Sequence, residues 1–328
     1  MTKPDRYAVL GHPIQHSFSP EIHQSFAAEL GENISYEKIE VPIGQFAEKA
    51  EELLDEGYKG CNITLPFKLD AYKFADKLTE RARSCGAVNT LVFGNKILGD
   101  NTDGIGFVTD ITSRLGFNIT NASILVLGAG GGVRGLLPSL LEQNPKWIAV
   151  ANRTLERAQT LADVFGIDAI AYEATAAEHF DLVINATSTS LSNIAPPVPE
   201  SVFGEVTLAY DLVYGAEPTP FMELAKKGGA KKVADGLGML IEQAAESYAD
   251  WRGTRPDTSK TRCLISGGSA LRLFLFPVFV HFCHETRLRC WITGGIARSG
   301  LYPLRHSFRK NTYLTTLSFA ARSGVSPM

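Results

Sequence analysis

The 328-residue chain is poor in cysteine and has no long apolar run. Its five cysteines (Cys61, Cys85, Cys263, Cys283 and Cys290) form neither a CxxC pair nor an even framework. That excludes a disulfide-stapled scaffold and predicts free thiols in a reducing compartment. His281, Cys283, His284 and Cys290 crowd together near the C-terminus, but their spacing matches no zinc pattern, so no metal is expected. The longest apolar run, residues 273–280, contains Pro277 and falls well short of the ~20 residues that a membrane span needs. Lys3, Asp5 and Arg6 lead straight into a short strand instead of the apolar core of a signal peptide. The expected location is the cytoplasm, with no membrane partner.

A uniform charge is also missing. Residues 259–328 carry ten Lys or Arg against one acid, Glu285, whereas the rest of the chain holds 22 basic and 34 acidic residues. A mildly acidic body argues against nucleic acid as a partner. With 45% hydrophobic residues the chain can bury a sizeable core, and its length fits two domains better than one.

The middle of the sequence holds two phosphate-reading elements. Ser123–Leu127 reads as a buried parallel strand, Gly128-Ala129-Gly130-Gly131-Gly132 as a tight turn, and Val133–Gln143 as a helix. Glycines there let backbone approach a pyrophosphate, and the helix N-terminus supplies free N–H groups. Val133 stands at the third glycine position of the usual fingerprint, and such a turn also serves as an ordinary strand–helix junction. The next strand, Trp147–Ala151, lacks the terminal Asp or Glu that would accept from a ribose 2′-hydroxyl. Asn152-Arg153-Thr154 and Arg157 follow instead, and guanidinium groups suit a 2′-phosphate. NADP is the expected cofactor.

Upstream, strands are predicted at 7–11, 35–41, 59–65 and 87–93, with helices at 20–30, 46–54 and 69–78. This alternation predicts an α/β domain with a parallel or mixed sheet. After a polar turn at 99–104, a helix over 105–115 leads into the nucleotide-binding unit. Further strands are expected at 181–186, 207–212 and 231–234, and helices at 155–165, 220–227 and 237–251. The last of these is expected to return to the first domain. The domains so read are 1–104, completed by the returning helix 237–258; a Rossmann-type, doubly wound domain at 105–236; and an atypical, poorly ordered basic tail at 259–328.

Three polar clusters sit where strands of the first domain should end. Ser17 and Ser19 face the same way in an extended segment, toward a ligand, although Ser19 equally suits the N-cap of a helix starting at Pro20. Asn62 and Thr64 share one face of their strand, with Lys68 beyond its carboxyl end, where a lone lysine is otherwise simply solvated. Asp103, in Gly99-Asp100-Asn101-Thr102-Asp103-Gly104, either caps the next helix or joins a site. Asn89 adds an amide inside an apolar strand, and a buried amide needs a partner. Hydroxyls, amides, one Lys and one Asp beside an NADP site suit reversible alcohol–ketone chemistry on a polyhydroxylated molecule, with Lys and carboxylate managing the proton.

These residues, in this order over roughly 6–255, resemble the shikimate dehydrogenase family. The markers are Ser-x-Ser-Pro (Ser17, Ser19), Asn-x-Thr-x-Pro-x-Lys (Asn62, Thr64, Lys68), Ala-Val-Asn-Thr (Asn89), Asn-Thr-Asp-Gly (Thr102, Asp103), Gly-Ala-Gly-Gly (Gly128–Gly131), Asn-Arg-Thr (Asn152–Thr154), Asn-Ala-Thr-Ser (from Asn185) and Asp-Gly-Leu-Gly-Met-Leu with Gln243. The resemblance implies NADPH-dependent reduction of 3-dehydroshikimate to shikimate, on the route to chorismate and aromatic amino acids. It implies Lys68 and Asp103 as the catalytic pair and Ser17 and Ser19 on the substrate carboxylate. Asn62, Thr64, Asn89, Thr102, Asp103 and Gln243 would surround the hydroxyls, with Tyr214 in the cleft. For the cofactor it implies the glycine turn (Gly128, Ala129, Gly130, Gly131, Gly132), Asn152, Arg153, Thr154, Arg157, Asn185 and Thr187, with Gly236, Gly238 and Met239 toward the nicotinamide. A monomer or homodimer is expected. Neighbouring readings are a quinate/shikimate dehydrogenase, a non-catalytic shikimate-binding regulator on the same scaffold, and a folate-cofactor dehydrogenase. The sequence departs from the pattern at Ser190, where many relatives carry Gly, and after the Trp251 helix, where no helical periodicity is evident and no chemistry is expected.

Overall fold

The computed structural model describes residues 3–271. The first lobe runs β1 (Asp5–Gly11), α1 (Ser19–Leu30), β2 (Ile34–Glu40), α2 (Phe46–Asp55), β3 (Gly60–Ile63), α3 (Lys68–Phe74), β4 (Lys77–Leu78), α4 (Glu80–Cys85), β5 (Thr90–Val92) and β6 (Leu98–Asp100). Its sheet has the order β2-β1-β3-β5-β6-β4 and is mixed: β1 pairs in parallel with β2 and β3, while β5 is antiparallel to both β3 and β6. Strand β6 occupies part of the segment whose composition predicts a turn. Gly99 explains this, because a Cβ there would lie 2.8 Å from the Val88 side chain and 2.9 Å from that of Ala75. Glycine is needed for close packing, not for a bend.

The chain crosses through α5 (Asp103–Thr109), which continues as a π-helical turn over Asp110–Arg114. The second lobe follows as β7 (Ser123–Leu127), α6 (Gly131–Leu141), β8 (Trp147–Ala151), α7 (Leu155–Phe165), β9 (Asp168–Ile170), β10 (Leu182–Asn185), β11 (Leu208–Asp211), α8 (Pro220–Lys227) and β12 (Lys232–Ala234). Every pairing is parallel in the order β12-β11-β10-β7-β8-β9. Period-two alternation divides β7 between two cores: Ile124 and Val126 pack with Leu136 and Leu140 of α6, and Leu125 and Leu127 pack with Phe180 and Phe221. Each such side chain contributes about 1.5–3 kcal/mol when buried, so both faces must be covered. The strand order reverses between β7 and β10, and the crevice outside their carboxyl ends is where doubly wound sheets bind ligands.

Helix α9 (Leu237–Arg252) returns to the first lobe and lays Ile241, Ala245 and Tyr248 on Ile22 and Phe26 of α1. It meets α5 closely because Gly106 has no side chain; a Cβ there would lie 2.6 Å from the Gln243 backbone nitrogen. Residues beyond α9 depart from the sequence expectation. Thr258–Leu271 form a further helix, α10, so a boundary at 259 falls inside an element. Thr261 is fully buried, and its hydroxyl lies 2.7 Å from that of Ser25. The rest of the basic tail, including the His281–Cys290 cluster, lies outside the described residues. Among the described residues no helix is long and apolar enough to cross a membrane.

Candidate active site at the junction of the lobes

The turn after β3 ends at Phe67, and Lys68 opens α3. Its Nζ donates to Asp103 Oδ2 at 2.5 Å, with the two side chains only 15% and 8% exposed. Asp103 is the first residue of α5 and does not cap it. Its second oxygen accepts from Asn89 Nδ2 at 2.9 Å, and its backbone N–H donates to Asn101 Oδ1 at 3.1 Å. Asn89 thus aims the carboxylate at the lysine, and Asn101 fixes the backbone that carries it. Neither the solvated-lysine reading nor the helix-cap reading describes this pair.

Behind the pair is a buried polar network. Asn89 Oδ1 accepts the Thr102 N–H at 2.9 Å, and its Nδ2 also reaches Thr102 Oγ1 and Gln243 Oε1, at 3.0 and 3.2 Å. Asn62 donates to Thr90 Oγ1 and Ser247 Oγ, at 3.1 and 2.9 Å, and accepts from Tyr36 OH at 2.7 Å. Ser247, fully buried on α9, also lies 2.8 Å from Thr90 Oγ1 and 3.2 Å from Thr102 Oγ1. The sequence reading missed Ser247, Thr90 and Tyr36. Ser247 stands four residues after Gln243, hence on the same helical face, and that spacing was the available signal.

Ser17 and Ser19 hydroxyls lie 3.1 Å apart. Ser19 is the first helical residue of α1 and its own side chain does not cap that helix; Ser17 Oγ accepts the Ser19 N–H at 3.2 Å. The capping alternative for Ser19 therefore fails. Thr64 is half-buried, with its methyl against Gly11, and its hydroxyl is unpaired among the described residues. Tyr214 comes from the second lobe and sets its ring 5.7 Å from that of Phe18. Burial, reinforced by the Glu21 and Asp235 charges, pushes its phenol up to about 12, so it stays neutral. Beneath Tyr36 stacks His23, at 4.4 Å and 7° between planes, with neither ring nitrogen hydrogen-bonded among the described residues. Burial pushes this imidazole down to about 3, so it is uncharged.

The cofactor-side residues look different. Gly128 has φ +107°, and a Cβ there would lie 3.1 Å from the Ala186 carbonyl oxygen, so this turn does require glycine. At Gly130, Gly131 and Gly132 a Cβ would meet nothing within 4 Å: the backbone faces open space at the N-terminus of the eleven-residue α6. Val133 is fully buried and packs against the sheet, so the missing third glycine leaves the strand–helix unit intact. Arg153, Thr154 and Arg157 are exposed, and neither guanidinium forms an ion pair among the described residues. Asn152 Nδ2 donates to the Thr154 carbonyl at 2.8 Å, bracing the loop after β8.

Asn185 is fully buried and makes only internal bonds. Its Nδ2 donates to Asp211 Oδ1 at 3.1 Å, and its Oδ1 accepts from Thr187 Oγ1 at 2.6 Å. Ser190, the departure from the family pattern, donates to Asp211 Oδ2 at 2.7 Å and so ties its loop to β11. Gly236 and Gly238 pack too closely for any side chain: their Cβ atoms would lie 2.2 Å from the Leu212 carbonyl oxygen and 2.0 Å from Asp110 Oδ1. The Met239 N–H donates to Tyr210 OH at 3.2 Å.

An open glycine turn with unpaired arginines beyond the neighbouring strand fits a dinucleotide carrying a 2′-phosphate. Among the described residues no cluster of His, Cys, Asp or Glu could hold a metal, and Cys61, Cys85 and Cys263 are free thiols.

Three family models match along the chain: a shikimate dehydrogenase substrate binding domain over residues 9–91, shikimate / quinate 5-dehydrogenase over 110–197, and a shikimate 5′-dehydrogenase C-terminal domain over 236–262. The chain is 52% identical over 261 residues to the shikimate dehydrogenase (NADP(+)) of Chromobacterium violaceum, covering 78% of this chain and 96% of that relative. Among solved structures, an Ael1 enzyme from Pseudomonas putida is 45% identical with a TM-score of 0.75, over 78% of this chain and 96% of that one. The shikimate 5-dehydrogenase of Thermus thermophilus, solved with NADP(H) and shikimate, is 36% identical with a TM-score of 0.73, over 82% and 99%.

Proposed function

This chain belongs to the shikimate dehydrogenase family, and we propose that it reduces 3-dehydroshikimate to shikimate reversibly with NADPH, in the cytoplasmic route to chorismate and the aromatic amino acids. The observation that carries this reading is the Lys68–Asp103 ion pair, held by Asn89 in a buried polar cluster.

Ketone reduction adds a hydride to carbon and a proton to oxygen. When bound, NADPH supplies the hydride. Lys68 supplies the proton from its ammonium group to the developing alkoxide, and Asp103 orients that group and then faces the neutral amine. In the reverse direction the amine takes the hydroxyl proton. Ser17 and Ser19 present paired hydroxyls to the substrate carboxylate, while Thr64, Asn89 and Gln243 flank the ring hydroxyls. Gly130–Gly132 and the α6 N-terminus would hold the pyrophosphate, and Arg153 and Arg157 the 2′-phosphate.

The unpaired arginines and the absence of an acid after β8 favour NADP over NAD, and thus a shikimate enzyme over a quinate enzyme that prefers NAD. The lysine–carboxylate pair disfavours a pure binding regulator, which needs no proton transfer. Rates of the purified protein with NADP or NAD, and with shikimate or quinate, followed by nicotinamide absorbance, test the reading. Turnover restricted to NADP and shikimate supports it; no turnover with any combination refutes it.

A further inference from the structure

Asp110 lies outside the catalytic cluster, yet it is fully buried at the junction of α5 and its π-helical turn. Both Nε and Nη2 of Arg114 donate to it, and Arg262 of α10 adds Nη1 at 3.2 Å from Oδ1. Its Oδ2 also accepts from Tyr210 OH at 2.8 Å. Tyr210 is likewise fully buried, with Phe107 edge-on at 5.0 Å, so the hydroxyl has little freedom. That hydroxyl accepts the Met239 N–H at 3.2 Å, while the Asp110 carboxylate lies directly against Gly238. One buried acid therefore sets the backbone of two consecutive residues, one through a hydroxyl bridge and one by contact.

Gly238 and Met239 stand in the first turn of α9, and on the NADPH reading proposed above they lie beside the nicotinamide. Resting on that reading, we infer that Asp110 and Tyr210 are positioning residues for the nicotinamide half of the cofactor: they hold the Gly238–Met239 backbone in register without touching the ligand. A backbone N–H at the start of a helix has no intrahelical partner, so without the Tyr210 hydroxyl the Met239 N–H is left to reorient. A fully buried carboxylate survives only if charge-paired, which accounts for the two arginines.

The test separates the two halves of the cofactor. Tyr210→Phe keeps the ring and removes the bridge. We expect its Kd for NADPH to rise about three- to thirtyfold, the scale of one buried donor left unpaired. Its Kd for 2′,5′-ADP, which lacks the nicotinamide, is expected to stay unchanged. With 4-deuterated NADPH the isotope effect on kcat is expected to rise, because a misplaced ring slows hydride transfer relative to product release. Should Tyr210→Phe not fold, Arg114→Met, altered at a side chain one-third exposed, is expected to show the same selective loss at about two- to tenfold. Wild-type affinity for both ligands, or equal losses for both, overturns the inference while leaving the NADPH reading standing. A wild-type protein that binds neither ligand overturns both.

Discussion

The two halves of the site are built on opposite principles. Around Lys68 and Asp103 nearly every polar atom already has a protein partner: Asn89, Asn62, Thr102, Gln243 and Ser247 bond one another out of water. Around the glycine turn, the atoms that would meet phosphate face solvent, and Arg153 and Arg157 are exposed without ion pairs among the described residues. On the proposed function, the difference follows from what each half would do. Proton transfer needs donor and acceptor held in one geometry, which a low-dielectric, fully bonded cluster supplies in advance. A highly charged phosphate brings its own strong field, so flexible guanidinium groups at a helix N-terminus suffice.

Substitutions that interrupt the prewired half should therefore damage rate, and those in the open half should damage affinity. Lys68→Ala is the severest: kcat is expected to fall about 10²- to 10⁴-fold with little change in substrate binding, measured by steady-state rates and by titration with shikimate. Near-normal turnover would remove the lysine from the mechanism. In the open half, Arg153→Ala is expected to weaken NADP by about 1.5–3 kcal/mol and leave NAD nearly unchanged; equal losses would make the arginine structural.

A third variant asks whether the prewiring is itself stabilising. Ser247→Ala leaves Asn62, Thr90 and Thr102 each short of a partner and is expected to cost about 1–3 kcal/mol in denaturant unfolding. No loss there would mean that water replaces the hydroxyl.

A last expected effect concerns pH, at Asp250, three residues after Ser247 on α9. Asp250 lies beside Asp100 on the far side of Arg81. Burial, then the Asp100 charge, pushes Asp250 up to about 8 from an ordinary 3.8. For Asp100 burial also opposes the charge, but hydrogen bonds from Arg81 and Thr79 outweigh it and hold that carboxyl below its usual range. Between about pH 4 and 8 the folded protein therefore keeps a proton on Asp250 that the unfolded chain has lost, so this group makes stability fall as pH rises through that window. Asp250→Asn should flatten the fall, seen as a melting temperature that differs from wild type more at pH 8 than at pH 5.

Legibility in the sequence followed the range of the interaction involved. The short apolar runs of β7 and β8, and the glycine turn after β7, are local and legible directly. Gly128 proves to need its positive φ, and Gly130–Gly132 prove to border open space. Short elements set by distant contacts were not legible: β6 looks like a turn because Gly99 and Asp100 are turn residues, and α10 looks irregular because its packing partners, Ser25 and Glu242, come from other elements. Among the residues of the buried polar networks, those in strand-end motifs stand out in the sequence, whereas Tyr36, Thr90, Ser247, Asp110 and Tyr210 do not. Their importance rests on hydrogen bonds to residues far away in the chain.

By itself the sequence determined which chemistry was on offer: a glycine turn, arginines in place of an acid, one lysine and one aspartate, each a consequence of residue type and near-neighbour spacing. Whether Ser19 and Asp103 cap their helices was decided only by the tertiary structure, because a hydroxyl or carboxylate can cap a helix or bond elsewhere until the fold sets its partner. Lys68 supplied that partner for Asp103 across thirty-five residues, and Ser17, two residues away, supplied it for Ser19. A hydrogen bond acts over about 3 Å, so no pattern along the chain specifies one until packing has brought its two ends together.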